Sequence, residues 1–353
     1  MIDLSEGWAC PRCGGKLEQS GSQLLCREHE KVGQAGEGFP SFVAAPRYWG
    51  ELPQEEMVAW CERVEGGGWE AAAEELARQH PELHQAATDR VRGNWLNVYP
   101  GWVGGAAADV GAGWGQISAC LASYFSPVYA LDSVPERARL LAARFAREEK
   151  VKVAAAAFPE APLARGSLSL VVMNGVLEWL AVGSPERSPS QVQLACLRRA
   201  HELLAPGGWL YVGIENRFGY HLVLGARDHS GRPYTSLLPR WLASRMVRGQ
   251  GGDYRTDQEG YRTYTYSYWG YRRLLARAGF ARTVVYAPVS GYNRPEAMVP
   301  LARVEPLDEY LGTFAAPSRR AALARGIPWG PLRLAMARLW SAYFGIFAQK
   351  GEG

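Results

Sequence analysis

The stretch AAADVGAGWGQISACLASYFSPVYALD, residues 106–132, decides how the rest of the chain is read. Small apolar residues run up to Asp109, glycines fall at Gly111, Gly113 and Gly115, and Ile117, Cys120, Leu121, Tyr124 and Phe125 then mark one face of a helix. The pattern is strand, glycine turn, helix. Glycine suits such a turn because the backbone must bend sharply and let a ligand approach with no Cβ in the way, while the helix start offers free N–H groups. The next apolar run, PVYALD, ends at Asp132, about 20 residues past the turn, where a doubly wound nucleotide site keeps a carboxylate for ribose hydroxyls. Joined to two further strand ends downstream, these features predict an α/β fold built on a doubly wound, Rossmann-like sheet.

The turn reads G-x-G-x-G and not the G-x-G-x-x-G of a dinucleotide fingerprint, and an acid precedes it. A negative Asp109 is a poor neighbour for a pyrophosphate and a good one for the ammonium of an amino-acid moiety. This resembles the class I S-adenosylmethionine-dependent methyltransferases. SLSLVVMNGVLEWL (167–180) looks like their fourth strand and the loop after it, and ELLAPGGWLYVGIENR (202–217) like their Pro-Gly-Gly turn and fifth strand. The resemblance covers roughly residues 95–290 and implies S-adenosylmethionine as cofactor. It implies that Asp109, Gly111, Ala112, Gly113 and Gly115 surround the methionine end, Asp132 and Ser133 the ribose, and that Asn174 lies beside the methionine or the reacting methyl. The chain departs from the family at the adenine, where Ala157 stands in place of an acid and leaves Phe158 to stack or offer its backbone, and at Ser169, which replaces a common acid.

Residues just beyond strand C-termini face the ligand crevice of an open α/β sheet. That places Glu215, Asn216 and Arg217 well, and His221, Asp228 and His229 follow on what reads as a long inserted cap. Glu215, Arg217, Asp228 and His229 are the catalytic candidates, with His229 beside Asp228 as general base because His titrates nearest neutral pH. Asn216, His221, Tyr264 and Tyr266 are the acceptor-binding candidates; the last two belong to a tyrosine run of period two that suits a strand or extended loop. TVVYAPVSGYNRP and YFGIFAQK read as the last, partly antiparallel strands, separated by a helical insertion.

At the front, CPRC (10–13) and CREH (26–29) put Cys10, Cys13, Cys26 and His29 into two short hooks with a strand–turn–strand between them, the spacing of a zinc ribbon. The other cysteines, Cys61, Cys120 and Cys196, lie in helix-like stretches and read as small buried hydrophobes. The expected organisation is a zinc-ribbon-like segment at 1–45, a helical linker at 46–98 and a methyltransferase domain at 99–353, with an acceptor-side insertion at about 215–270 and a helical one at about 301–339.

A net charge of +4 with arginines scattered among acids allows an anionic partner without demanding one. No run is long and apolar enough to span a bilayer, so a soluble, cytoplasmic protein is expected, with no membrane and no obligate protein partner evident. Two resemblances compete over the acceptor. The hooks followed by GEGFPSFV look like the ribbon fronting ribosomal RNA guanine methyltransferases, where it contacts RNA. MNGVLEWL, GIENRFGY and DHSG look like bacterial methyltransferases tied to surface-polysaccharide or secondary-metabolite clusters. The second match is longer and lies on the acceptor side, so a hydroxyl of a small-molecule or glycan-like acceptor is expected, RNA is the alternative, and a ribbon serving protein interaction with secondary or lost catalysis is the third reading.

Overall fold

The computed structural model describes residues 4, 7–36, 38–182, 186–248, 260–314, 326–327 and 329–352. Its strands are β1 (Leu17–Ser20), β2 (Gln23–Cys26), β3 (Glu30–Ala35), β4 (Pro40–Ser41), β5 (Ala106–Val110), β6 (Val128–Asp132), β7 (Val151–Ala155), β8 (Leu168–Asn174), β9 (Leu204–Glu215), β10 (Arg282–Val289), β11 (Ala297–Pro300) and β12 (Tyr343–Gln349). They form one sheet in the order β1-β2-β3-β4-β7-β6-β5-β8-β9-β12-β10-β11.

The centre of the sheet is parallel. β6 and β8 flank β5, with Asp109 level with Ala130 on one side and Val172 on the other, and β7 and β9 extend the parallel set outward. These strands are short continuous apolar runs, as expected where helices cover both faces. On one face the helices Pro189–Leu203 and Tyr268–Ala278 bury Leu197, Leu203, Tyr271 and Leu275 against Val171, Met173 and Val212. On the other, Gln116–Leu121 and Pro135–Arg144 bury Ile117, Leu121 and Leu141 against Ala107, Ala130 and Val172. β12 runs antiparallel between β9 and β10, pairing Tyr343 with Glu215 and Gln349 with Arg282. The strand order reverses at β5, and the C-terminal ends of β5, β6, β8 and β9 open on one edge, where an α/β sheet places its ligand.

The N-terminal ribbon is continuous with this sheet. β4 pairs in parallel with β7 at Ser41 and Ala155, and the Phe42 N–H donates to the Ala155 carbonyl at 2.7 Å. Trp8, Cys10, Leu17 and Cys26 share one core with Tyr129, Phe158 and Leu163. β3 and β4 escape a sequence reading because KVGQAGEGFPS has neither apolar alternation nor a β-branched run.

The linker folds as the helices Gln54–Gly67, Trp69–Gln79 and Pro81–Thr88 and the 3-10 stretch Arg90–Val98. The glycines at 66 and 67 end the first helix without separating it from the second, and Pro81 starts the third, where its missing N–H has no partner to lose. Met57, Trp60 and Leu76 enclose Trp114 of the glycine turn and Leu140, so the linker is docked against the glycine turn. After β9 the chain forms a cap with short helices at Tyr220–Val223 and Arg240–Val247. Of the two expected insertions, residues 249–259 of the first and 315–325 and 328 of the second lie outside the described residues. No helix among the described residues is long and apolar enough to cross a membrane.

Candidate functional site

The glycine turn is braced from outside and open on its inner side. Gly111, Gly113 and Gly115 all have left-handed φ, at 67°, 56° and 86°. A Cβ on Gly111 would strike Val176 at 2.7 Å and one on Gly115 would strike Leu141 at 2.7 Å, whereas one on Gly113 would meet nothing nearer than the Gly111 carbonyl at 3.9 Å. Gly113 therefore borders free space, as a backbone approached by a ligand should. Arg144 holds the outer side through the carbonyls of Ala87 and Trp114, and donates to Gln116 Oε1 at 3.1 Å.

Asp109 is buried at the end of β5 and accepts from the Ser118 hydroxyl at 2.7 Å. Burial pushes its carboxyl up to about 7, against the Ser118 bond and the nearby Arg92 charge. Arg92, on the 3-10 stretch, is partly buried and among its electrostatic neighbours are Asp109, Glu51 and Tyr292. Asp132 accepts from Gly113 N–H at 3.0 Å and Val134 N–H at 2.9 Å, so one carboxylate ties the turn to the following helix. Burial raises its pKa as well, with Arg137 opposing. Ser133 is partly exposed beside it, whereas Phe158 is buried in the core shared with the ribbon and its carbonyl accepts from the Ala161 N–H at 3.1 Å, leaving only the partly exposed Ala157 of that pair toward solvent. Asn174 closes β8; its Nδ2 donates to Asn293 at 3.2 Å and its Oδ1 is buried without a partner. Asp109, Asp132 and Asn174 thus stand at the C-terminal ends of the adjacent strands β5, β6 and β8, around a turn whose middle glycine borders open space.

The acceptor-side residues sort into two sets. His229 Nε2 lies 3.4 Å from Glu215 Oε2 and 3.6 Å from Glu178 Oε1, with the Trp179 ring edge-on at 4.6 Å. Tyr292 reaches over the ends of β8 and β9, where only Gly175 and Gly213 leave room for it. His221 stacks on Tyr343 at 5.3 Å, and its burial lowers its pKa. The second set holds the cap in place. Arg217 donates to the carbonyls of Ser236 and Leu238 at 2.6 and 2.7 Å. The Asn216 amide donates to Leu339 and Ser341 carbonyls at 2.8 and 2.7 Å. Tyr266 donates to Gln193 Oε1 at 2.8 Å, and Tyr264 lies under the Arg240 guanidinium at 4.1 Å. Asp228 accepts from the Ser230 N–H at 2.8 Å in a local turn, so the carboxylates facing His229 are Glu178 and Glu215.

Glu178 is the residue that sequence reasoning passed over. It is 0% exposed, both carboxylate oxygens lack hydrogen-bond partners, and burial pushes its pKa up to about 7 against the His229 charge. An unsatisfied buried carboxylate is uncommon enough to mark a site. Its signal was present in VLEWLAV, a lone acid in an otherwise apolar run. Arg92, Trp179 and Tyr292 had no such signal, since each comes from a separate element.

At the ribbon, one donor atom from each of Cys10, Cys13, Cys26 and His29 lies within 4.8 Å of the others. Cys13 and Cys26 sulfurs are 3.5 Å apart, and His29 Nδ1 is 3.9 Å from both Cys10 and Cys26. Tetrahedral zinc with thiolates at about 2.3 Å spaces its ligands by about 3.7 Å, so the donor set fits that ion.

Residues 108–212, which carry the glycine turn, Asp132, Asn174 and Glu178, match the methyltransferase-domain family. That match spans the parallel strands β6, β7 and β8 and most of β5 and β9. The expected methyltransferase recognition and α/β fold hold at that level, and the domain match ends three residues short of Glu215, so the cap lies beyond it. No curated protein sequence matches the chain. Among solved structures, the chain is similar to Haemonchus contortus phosphoethanolamine N-methyltransferase 2 in complex with phosphomonomethylethanolamine and S-adenosylhomocysteine, at 15% identity and a TM-score of 0.42 over 79% of this chain and 59% of that one. It is similar to the methyltransferase complexed with the Haloferax volcanii Trm112 activator, at 14% identity and a TM-score of 0.42 over 85% and 100% of the two chains. A SAM-dependent methyltransferase from Aquifex aeolicus shares 15% identity, with a TM-score of 0.40 over 62% and 92%. The chain thus spans well under two thirds of the Haemonchus protein's length.

Proposed function

We propose that the protein transfers a methyl group from S-adenosylmethionine to a hydroxyl of a small-molecule or glycan-like acceptor. The observation that carries this reading is His229 Nε2, set between Glu215 and Glu178 at the edge where the methyltransferase strands end. The bound cofactor supplies an electrophilic methyl on a sulfonium. On this reading Asp109 faces the ammonium of its methionine moiety and Arg92 the carboxylate, the Gly113 backbone lets the chain approach, and Asp132 uses its remaining lone pairs for ribose hydroxyls. Of the two expected adenine neighbours, Ala157 is left for that ring, and Phe158 backs it from the core.

His229 takes the proton of the attacking hydroxyl, and the imidazolium formed lies within 3.4 to 3.6 Å of two carboxylate oxygens. Such contacts are commonly long before substrate binds and tighten in the reacting complex. Tyr292 and Trp179 exclude water and line up the acceptor, and alignment is most of what a displacement at a methyl group needs. Zinc at Cys10, Cys13, Cys26 and His29 belongs to the same reading as a structural, four-coordinate ion. The test is S-adenosylhomocysteine release over a panel of hydroxylated metabolites and glycans. His229→Ala should lower turnover about 100-fold or more while cofactor affinity stays nearly intact. Turnover on RNA, with none on any hydroxylated metabolite or glycan, would replace this acceptor class with the ribosomal one.

A further inference from the structure

Fourteen large hydrophobic side chains are exposed among the described residues, and six of them, Tyr220, Val223, Leu224, Tyr234, Trp241 and Met246, fall within residues 220–246 of the cap. Their exposure is not that of a loosened loop. Leu222, Thr235, Ser236, Ala243 and Val247 of the same segment are buried, and Arg217 ties the segment down through two carbonyls. The pieces adjoin: a Cβ on Gly225 would lie 2.9 Å from the Tyr234 hydroxyl, and Tyr234 leads through the turn Thr235–Leu237 into the helix carrying Trp241. Leu224 is 72% exposed and Trp241 70%. Exposed apolar side chains gathered on one anchored segment of a chain of ordinary composition point to an interaction site.

The charge of the cap says what covers it. Residues 216–248 hold six arginines, and their single acid, Asp228, is buried; over 216–259 seven arginines stand against four acids. Arg227, Arg245 and Arg248 are exposed and make no ion pair among the described residues. Aliphatic and indole groups set among arginines suit the headgroup region of an anionic bilayer, where the chains enter the acyl boundary and the guanidinium groups meet lipid phosphates. Leu224, Val223 and Met246 have no comparable use on RNA, and the ribbon, with four basic and three acidic residues over 7–36, does not extend a basic path.

We propose that the outer face of the cap seats the protein on an anionic membrane surface. His229 lies on the inner side of the same cap, so docking would bring the acceptor site to the lipid–water interface and favour an amphiphilic, membrane-held acceptor. That second consequence rests on the methyl-transfer reading; the docking does not. The test floats the full chain with vesicles of phosphatidylcholine, with or without phosphatidylglycerol, and measures S-adenosylhomocysteine binding on the same samples. Binding should require phosphatidylglycerol, weaken with salt, and fall about tenfold or more in Leu224→Ser/Trp241→Ser and in Arg245→Gln/Arg248→Gln, with S-adenosylhomocysteine affinity unchanged in both. Failure to float with either vesicle, or equal flotation of the variants, overturns the proposal. So does an RNA oligonucleotide that binds more tightly than the vesicles through the same arginines. Flotation in a protein that does not bind S-adenosylhomocysteine would remove the methyl-transfer reading and leave the docking standing.

Discussion

Glu178 is a fully buried carboxyl whose Oε1 lies 3.6 Å from His229 Nε2. Its pKa is raised to about 7 by burial, and Asp109 is raised to about 7 by the same cause. A carboxyl raised on folding contributes stability that is fully present below the ordinary carboxyl range, near pH 4, and is lost as pH rises through about 7. The ligand-free protein should therefore lose stability between those limits, and Glu178→Gln should flatten the slope and stabilise the protein above pH 7 by up to about 3 kcal/mol, read from urea unfolding at several pH values. The same variant should lower turnover about tenfold or more and alter the pH profile, because His229 loses one of its two carboxylates. A variant with unchanged turnover and pH profile would reduce Glu178 to a packing residue. Asp132 is a sharper case, since its two oxygens already hold the N–H groups of Gly113 and Val134. Asp132→Ala should cost at least about 1.5 kcal/mol of S-adenosylhomocysteine affinity by calorimetry; undiminished affinity refutes the ribose role proposed for it. The acid at the end of β6 was legible from spacing alone. The partners of His229 were not, because the adjacent acid in sequence turns its carboxylate to Ser230 while Glu178 arrives from 51 positions away.

At the scale of elements, the glycine turn and the ribbon make separate demands. Gly111→Ala would drive a Cβ into Val176 and Gly115→Ala into Leu141, so both should fold poorly. Gly113→Ala meets open space and carries only the left-handed backbone penalty, on the order of 1–2 kcal/mol, so its melting temperature should fall modestly while S-adenosylhomocysteine affinity falls tenfold or more. Equal loss at all three positions would mean that the turn has no ligand side. In the ribbon, metal analysis of protein made with ample zinc should find one zinc per chain, and Cys26→Ser should abolish it. Because Cys10, Leu17 and Cys26 share a core with Tyr129 and Phe158, losing that ion should lower the melting temperature of the whole domain and not of the hairpin alone. A melting temperature indifferent to chelation would separate the ribbon from the domain it adjoins.

For the molecule as a whole, the ribbon ends one side of the sheet and β11 the other, so neither edge of the parallel core is bare. Removing residues 7–45 strips β4 from β7 and uncovers Phe158 and Leu163, and should leave protein that aggregates or melts early in light-scattering and calorimetric scans. A truncated chain that melts like the intact one would show the ribbon to be an appendage after all.

The sequence by itself determined the ribbon hairpin β1–β2, the strands β5, β6, β8, β9, β10 and β12, the glycine turn, the acids at the strand ends and the four metal-type ligands, because each is a local pattern: a run of apolar residues, a left-handed backbone, a short spacing. Only the tertiary structure decided that the ribbon extends the sheet, that the linker helices brace the turn through Trp114 and Arg144, and that Glu178, Glu215 and His229 meet. Those contacts join positions tens of residues apart. They follow from how the parallel strands stack and where their C-terminal ends converge, a geometry that no spacing along the chain records.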